Sequence, residues 1–195
     1  MKRSFQIAGA LLLLLAVYIR AAPQYLQYRA PSNAPQAVVV LLGRDWPARK
    51  RQAEERLRES PAKTLIIPAY GRMRGMEGPG GTPAAERTQP APRPRPATPY
   101  PRYFEDTHIE MLKAKSMMDT AGIAAADFVS SPYHMRRIRL IADRVFDSAD
   151  YRLGFVPTPY DPPSDGFWLL QETDRRWVVT ETVKILWFLC YSRLA

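Results

Sequence analysis

Residues 128–146 have the sequence FVSSPYHMRRIRLIADRVF, in which an apolar run gives way to polar residues and then to a helical pattern. The apolar part belongs to a predicted strand at residues 126–131, and His134, Ile138 and Ile141 share one face of the helix expected to follow. Two serines, a tyrosine, a histidine and two arginines therefore lie where a strand becomes a helix. Ligands of α/β proteins bind beyond the carboxyl ends of the strands, so this junction is the first candidate site.

Strand and helix patterns alternate on both sides of this junction. Asp45 is expected to cap the helix that follows the first strand, and Pro47 to lie in its first turn. The β-branched first strand is typical of strands buried on both faces. The alternation predicts an α/β domain with a mainly parallel sheet. The other predicted elements are strands at 37–43, 63–71 and within 150–161, and helices at 44–60, 104–122 and 174–194.

The C-terminal helix is rich in apolar residues, but Glu181, Thr182 and Lys184 interrupt them. These interruptions argue against a second membrane-spanning helix. We expect the helix to pack on the sheet, and a helix lying on a membrane surface is the alternative. Its Cys190 is the only cysteine of the chain, so an intrachain disulfide is excluded. The apolar setting predicts a buried structural thiol rather than a nucleophile.

Residues 72–103 break the alternation with eight prolines and four glycines and show no apolar periodicity. This composition predicts a disordered insertion, part of it similar to a polyproline helix. We expect a solvated spacer, and a binding site for a proline-recognising partner or a cell-wall polymer is the alternative.

The N-terminus has the layout of an export signal, with Lys2 and Arg3 before an apolar run at residues 5–19. This run is shorter than the ~20 residues that span a bilayer. A cut just before or after residue 22 lacks the small residue needed at the −3 position. The sequence therefore predicts an uncleaved signal anchor, with a cleaved peptide as the alternative. The positive-inside rule then puts most of the chain outside the cytoplasm.

These patterns divide the chain into three parts. Residues 1–22 are the expected signal anchor, with residues 5–19 in the membrane. Residues 23–36 are rich in Pro, Tyr and Ala and are expected to form a linker. Residues 37–195 are the expected α/β domain, which carries the insertion.

The charge of the chain is unevenly distributed. The formal net charge is +9, but the excess of Lys and Arg lies in the first 103 residues and not on the predicted core that follows. A nucleic-acid-binding protein more usually shows a basic stripe with aromatic residues on its folded elements. We therefore expect no nucleic-acid partner.

Side chains suited to an anion follow three of the predicted strands. The free N–H groups of a helix N-terminus favour negative charge, and arginine binds phosphate through two parallel bonds. His134 is a candidate proton donor or acceptor. The alternative is ordinary helix-start chemistry with solvated arginines and a structural histidine. The candidates are Gly43, Arg44 and Asp45, then Tyr70 and Gly71, then Ser130, Ser131, Tyr133, His134, Arg136 and Arg137.

The acidic stretch EDTHIE at residues 105–110 has two interpretations. Its carboxylates and histidine are groups that can act as an acid site or hold a metal. Thr107 and Glu110 also have the spacing of a capping box, which is the favoured interpretation, and no metal site is assigned. The HExxH, paired CxxC, Walker and GxSxG motifs are absent from the sequence.

The junction VSSPYHMRR at residues 129–137 resembles the VTS-x-YHM-x-RA signature of the SanA, ElyC and YdcF family of bacterial proteins. The first strand with its following helix, and the acidic stretch, are similar to the family's other motifs. The family has Ser-Gly-Gly where this chain has Ala69, Tyr70 and Gly71. The resemblance implies a Rossmann-like three-layer α/β sandwich behind one membrane anchor, and a link to envelope integrity without a settled reaction. The nearest matches in the other motifs are Arg51, Ala53, Glu105, Thr107, Glu110 and Ala114.

We therefore expect a single-pass protein of the bacterial cytoplasmic membrane with a periplasmic domain. The domain would bind a phosphate-bearing or other anionic ligand, such as a lipid-linked envelope precursor, and transfer or hydrolyse that group. In this hypothesis Arg44, Arg136 and Arg137 hold the anion, His134 moves the proton, and Ser131 or Glu105 orients it. A non-catalytic envelope module and a small-nucleotide enzyme are the alternatives. No cofactor and no oligomeric state are assigned. Gly43, Asp45, Gly71, Thr107, Ser130 and Tyr133 complete the expected ligand contacts.

Overall fold

The computed structural model describes residues 2–75, 100–160, 162–163 and 167–193. The helices are α1 (Lys2–Leu26), α2 (Trp46–Glu59), α3 (Asp106–Thr120), α4 (Met135–Val145) and α5 (Glu172–Tyr191). The strands are β1 (Ala37–Val40), β2 (Thr64–Ile67), β3 (Arg72–Gly75), β4 (Ala125–Ser130) and β5 (Arg152–Pro157). Two 3-10 turns, Pro68–Tyr70 and Pro132–His134, follow β2 and β4.

The five strands form one sheet in the order β3-β2-β1-β4-β5. Parallel pairing joins β2 to β1, β1 to β4 and β4 to β5, whereas β3 is antiparallel to β2. The structure confirms the predicted α/β class with a mainly parallel sheet. The chain leaves β1 towards β2 and later returns to the other side of β1 as β4. The strand order therefore reverses between β1 and β4, which is where open α/β sheets bind ligands.

Both faces of the central strands are buried, as their continuous apolar runs predict. Successive residues of a strand point to opposite faces. Val38 and Val40 of β1 pack with Ala53 and Leu57 of α2. The alternate residues of β1 belong to a second cluster to which α3, α4 and α5 contribute. Helices therefore cover both faces of β1 and leave its ends to the connecting loops.

The segment at residues 23–36 is part of the domain, and its assignment as a linker is wrong. Helix α1 continues to Leu26, four residues past the expected end of the anchor. Ala30 exchanges backbone hydrogen bonds with Phe155 of β5. The N–H of Ser32 donates to the buried carboxylate of Asp127 in β4, at 3.0 Å. The segment is ordered because it covers polar groups of the sheet.

The predicted disordered insertion begins too early. Residues 72–75 form β3, which pairs with β2 from Thr64 to Ile67. Gly71 adopts a φ of +60° between the 3-10 turn and β3, a conformation that glycine takes at no steric cost. At the other end, the ring of Tyr103 packs against Phe104 and Tyr191. Residues 76–99, the rest of the predicted insertion, lie outside the described residues.

Within the described part of the chain, α1 is the one helix that is both long and apolar enough to cross a membrane, with a mean hydropathy of 1.7 over residues 6–26. Its leucines at positions 11–15 are exposed, but its C-terminal end packs on the domain. There Ala22 and Leu26 are buried against Tyr133 and Val178. The apolar helix is therefore fixed to the domain at one end and exposed at the other.

Helix α5 packs on the core through Phe188 and Tyr191, as expected. Cys190, however, is exposed, so the prediction of a buried thiol is wrong. The reason is that the outward face of α5 is apolar as well as its inward face. In this helix, the apolar character of the sequence around a residue therefore does not show whether that residue is buried.

Candidate functional site

The candidate residues meet at the carboxyl ends of β1 and β4. We call this region the strand-end site, and it consists of the loop at residues 41–45, the segment Ser130–His134, the start of α3, and inward side chains of α2, α4 and α5. The site lies where the strand order reverses.

Arg49 of α2 organises the loop after β1. Its guanidinium is 2% exposed and donates to the carbonyl oxygens of Leu41 and Leu42, at 3.0 and 2.7 Å. Its Nε donates to Asp45 Oδ1 at 2.8 Å, and its Nη2 donates to Ser131 Oγ at 2.5 Å. Arg49 thus ties the end of β1 to the end of β4. Sequence reasoning missed this residue, although its position four after Asp45 was a usable signal.

Gly43 and Asp45 both contact the guanidinium of Arg49, and this contact explains the residue type at each position. A Cβ on Gly43 would lie 2.2 Å from Arg49 Nη2, so the close approach of the guanidinium requires glycine. Asp45 makes no side-chain capping bond to α2, and its predicted capping role is wrong. Burial alone would raise the pKa of Asp45, but the bond to Arg49 outweighs burial and lowers it.

A second network surrounds Arg137 of α4. Its Nε donates to Glu181 Oε2 at 2.7 Å, and its Nη1 donates to Glu105. Its Nη2 lies 3.2 Å from Glu181 Oε1 and 2.9 Å from His134 Nδ1. Arg137 is 1% exposed, so the alternative of a solvated arginine is wrong for this residue. Its charge is matched by two carboxylates, of which Glu181 was not among the sequence candidates.

His134 is buried and sits between α3 and α5. Its Nδ1 lies 3.1 Å from Glu181 Oε2, and its Nε2 lies 3.4 Å from Thr107 Oγ1. Burial lowers the pKa of His134 to about 4, so the ring is neutral at pH 7. Burial would raise the pKa of Glu181, but the facing His134 and Arg137 hold it well below its usual range. Burial raises the pKa of Glu105 although Arg137 opposes this.

Glu110 is the group of the site that titrates near neutral pH. Burial raises its pKa to about 7, against the opposing effects of the Leu42 N–H and Arg49. Its Oε2 accepts a hydrogen bond from the Leu42 N–H at 3.2 Å. The predicted capping box is wrong, because α3 begins at Asp106 and Thr107 contacts His134 instead. Glu110 therefore joins the site from a position that sequence reasoning had assigned to helix capping.

Ser130 and Arg44 have polar groups that the described residues leave unpaired. Ser130 is 0% exposed, and its hydroxyl finds no hydrogen-bond partner among the described residues. Arg44 is exposed next to Gly43 and makes no ion pair with the part of the chain that the structure describes. The loop after β1 thus offers a free positive charge beside the strand ends.

Three other candidates do not join the networks around Arg49 and Arg137. Arg136 donates to the carbonyl oxygen of Tyr25 and stacks on the rings of Tyr25 and Tyr28, so it holds α1 rather than lining the site. Gly71 serves the turn into β3. Tyr133 packs against α1, and burial together with Asp174 raises its pKa to about 12.

A shallow pocket adjoins the strand-end site on the side of α5. Ser131 and Tyr133 form one wall, and Pro163, Asp174 and Trp177 are among the residues of the others. This pocket places an aromatic ring and a carboxylate next to the end of β4. Among the described residues, no group of three or more His, Cys, Asp or Glu side chains is arranged to hold a metal ion.

The fold and the site together define an α/β protein with a polar site at the reversal point of its sheet and one apolar N-terminal helix. No protein-family model, curated protein or solved structure matches this chain. The geometry of the site therefore carries the functional argument.

Proposed function

We propose that the chain is a membrane-anchored, extracytoplasmic protein of the YdcF-like family, with a Rossmann-like three-layer domain. Its strand-end site binds a phosphate-bearing, lipid-linked envelope precursor and acts on it as a phosphoester hydrolase or transferase. One observation carries this proposal. Glu110, whose pKa is about 7, contacts the loop after β1, and this loop carries Arg44 and lies where the strand order reverses.

The anion-binding part of the site is the loop after β1. Arg44 supplies a free guanidinium, and Trp46 and Ala48 contribute the N–H groups of the first turn of α2, since Pro47 has none and the Arg49 N–H donates to Asp45. Arg136 and Arg137 do not share this role, because one stacks on tyrosines and the other is neutralised by carboxylates. Of the three arginines that the sequence analysis assigned to the anion, Arg44 therefore keeps this role.

The proton-transfer part of the site is Glu110. A carboxyl group with a pKa near 7 is present in both protonation states at neutral pH, so it can donate a proton to a leaving oxygen or accept one from water. His134 is neutral and held by Glu181, which makes it a positioning residue for Thr107 and the start of α3. Ser131 and Asp45 hold Arg49 beneath the loop.

The neighbourhood of the site supports a lipid-linked ligand. The 3-10 turn Pro132–His134 connects the site to α1, since Tyr133 packs with Ala22 and Leu26. A ligand whose hydrocarbon tail stays in the bilayer would keep its phosphate close to the helix that anchors the domain. The site and the anchor are therefore arranged for a substrate that does not leave the membrane.

A non-catalytic envelope-binding module is the second candidate. It is favoured by Arg49 and Arg137, because every guanidinium nitrogen of both residues already donates to a protein acceptor. In that case Glu110 and Arg44 would recognise the ligand without transferring it.

The test measures binding and turnover of a short-chain polyprenyl diphosphate by calorimetry and 31P NMR, with the full chain in detergent. Arg44→Ala is expected to weaken binding about 10- to 150-fold, the equivalent of losing one charge-assisted bond of about 1.5–3 kcal/mol. Arg152→Ala is the matched control, because Arg152 is exposed at the opposite, amino end of β5. Glu110→Gln is expected to keep binding and stop phosphate release.

Three outcomes distinguish the candidates. Release of phosphate that stops in Glu110→Gln supports the enzyme. Binding without release in the wild-type chain favours the non-catalytic module. No binding, or equal weakening by Arg44→Ala and Arg152→Ala, contradicts both.

A further inference from the structure

Large exposed apolar side chains outside α1 are concentrated on one side of the domain. Four of them, Val179, Val183, Leu186 and Trp187, form a single row on the outward face of α5, which we call the α5 stripe. Their spacing is that of one helix face. Phe167 and Leu170, in the turn before α5, are 54% and 78% exposed. The α5 stripe and this turn are two exposed apolar features that water solvates poorly.

The α5 stripe lies beside the point where α1 leaves the domain. Tyr18 of α1 donates a hydrogen bond to Thr182 of α5, at 3.1 Å. Trp168, between Phe167 and Leu170, donates its indole N–H to the carbonyl oxygen of Ile19 at 2.7 Å. The exposed apolar part of α1 therefore begins next to the exposed apolar part of α5.

The length of the apolar part of α1 determines how deep in a membrane its contact with α5 would lie. The apolar run at residues 5–19 lies between Arg3 and Arg20 in the sequence, and as one helix it extends for about 22 Å. Such a span has to cross a hydrocarbon core of about 30 Å, and the long side chain of an arginine such as Arg20 can reach the interface from its end. Arg20 therefore marks the membrane boundary, and Tyr18 and Ile19, which contact the domain, lie at that boundary.

The chemistry of the α5 stripe suits a lipid interface. Trp187 donates its indole N–H to the carbonyl oxygen of Tyr103, so its exposed ring carries no unpaired donor. Tryptophan is enriched at membrane interfaces. Arg175 and Arg176 precede the stripe and Arg193 follows it, and all three are exposed. Basic residues at both ends of an apolar row match anionic headgroups on either side of a shallow insertion.

We propose that the α5 stripe, together with Phe167 and Leu170, inserts into the headgroup boundary of the bilayer that α1 crosses. The domain then lies on the membrane surface instead of hanging from a stalk. This inference rests on the membrane attachment stated under the proposed function, and it adds a second, peripheral contact with lipid.

The test uses Cys190, the only cysteine of the chain, as its labelling site. It is exposed four residues after Leu186, on the same side of α5. The full chain, labelled there with an environment-sensitive fluorophore, is reconstituted into phosphatidylethanolamine–phosphatidylglycerol vesicles. Quenching by brominated lipids and a blue-shifted emission are expected. The control carries Cys190→Ser and Glu59→Cys at the exposed end of α2, on the other face of the sheet, and its label is expected to stay unquenched.

A charged variant checks that the stripe makes the contact. The double change Val183→Glu and Leu186→Glu alters two side chains that are about 60% exposed, so folding is expected to be preserved. Quenching at Cys190 should be lost, while flotation with the vesicles continues through α1. If the chain with the unaltered stripe floats but its Cys190 label is not quenched, the contact of the stripe with lipid is overturned and the anchor is not. Quenching that persists after the double change overturns that contact in the same way. Energy transfer between labels on different chains, without quenching by lipid, would show that a second copy of the chain covers the stripe, and it would also overturn the contact with lipid. A chain that does not float overturns the anchor itself.

Discussion

Replacing Glu110 by Gln is expected to stabilise the protein at alkaline pH and to leave its stability unchanged at acidic pH. Glutamine has the shape of a protonated glutamate and keeps an oxygen to accept the Leu42 N–H. In the folded chain the pKa of Glu110 rises from 4.5 to about 7, because burial disfavours the carboxylate. Stability linked to this group is therefore fully present below pH 4.5 and is lost as the pH rises through 7.

The size of the effect follows from the difference between the two pKa values. At about 1.36 kcal/mol per pKa unit, the rise from 4.5 to about 7 corresponds to about 3 kcal/mol. Partial exposure of Glu110 and the weaker bond from Leu42 to an uncharged acceptor reduce this to about 2 kcal/mol. For a chain of this size, 2 kcal/mol corresponds to a Tm increase of about 4–8 °C.

Thermal unfolding of the full chain in detergent, followed by circular dichroism at pH 4.5 and pH 8.5, measures this difference. The comparison is between variant and wild type at each pH, so other groups that titrate, such as His134, cancel. Glu59→Gln at the exposed end of α2 is the control for a carboxylate on the surface, and its Tm should differ little from that of the wild type. A Glu110→Gln difference of equal size at both pH values, or none at pH 8.5, would refute the assignment of Glu110 as the neutral-pH acid.

Two further predictions concern the buried network and the location. Arg137→Ala should cost about 3–5 kcal/mol of unfolding free energy, because it leaves the 0% exposed Glu181 without its guanidinium partner. Chemical denaturation measures it, and a cost no greater than that of Arg136→Ala would contradict the network. A C-terminal alkaline phosphatase fusion should be active and stay with membranes after a salt wash, as the N-terminal charges predict. An inactive fusion or a shortened soluble product would argue against the anchor.

The elements and the position of the site could be predicted from the sequence because both depend on local patterns. Continuous β-branched runs such as 37–40 mark strands covered on two faces, and the structure buries all four residues of β1. The reversal of strand order follows from pairing between strands that are distant in the sequence. Any order of parallel strands, however, puts the carboxyl ends of β1 and β4 at the same end of the sheet. Residues that follow those strands, such as Gly43 and Ser131, could therefore be found without knowledge of the topology.

The partners within the site could not be predicted, because they join residues far apart in the chain. Arg137 and Glu181 are 44 positions apart, and only the packing of α4 against α5 brings them together. The packing of residues 23–36 on the domain likewise depends on a distant residue. The carboxylate of Asp127, buried in the middle of β4, accepts hydrogen bonds from Ser32 and Arg56. Strand β3 forms in a Gly- and Pro-rich stretch because the edge of β2 offers it hydrogen bonds.

Helix α5 shows why its sequence pattern was hard to interpret. Glu181, Thr182 and Lys184 break up the apolar residues, and the sequence gives no reason for their positions. In the structure Glu181 binds Arg137 and His134, Thr182 binds Tyr18 of α1, and Lys184 Nζ lies 3.8 Å from Glu181. The polar groups of this part of α5 thus face the domain, while Val183 and its neighbours face outward. With Ile185 and Phe188 buried on the inner side, this part of α5 is apolar on both sides, which is unlike a helix exposed to water and is the pattern expected where a lipid surface replaces water on the outer side.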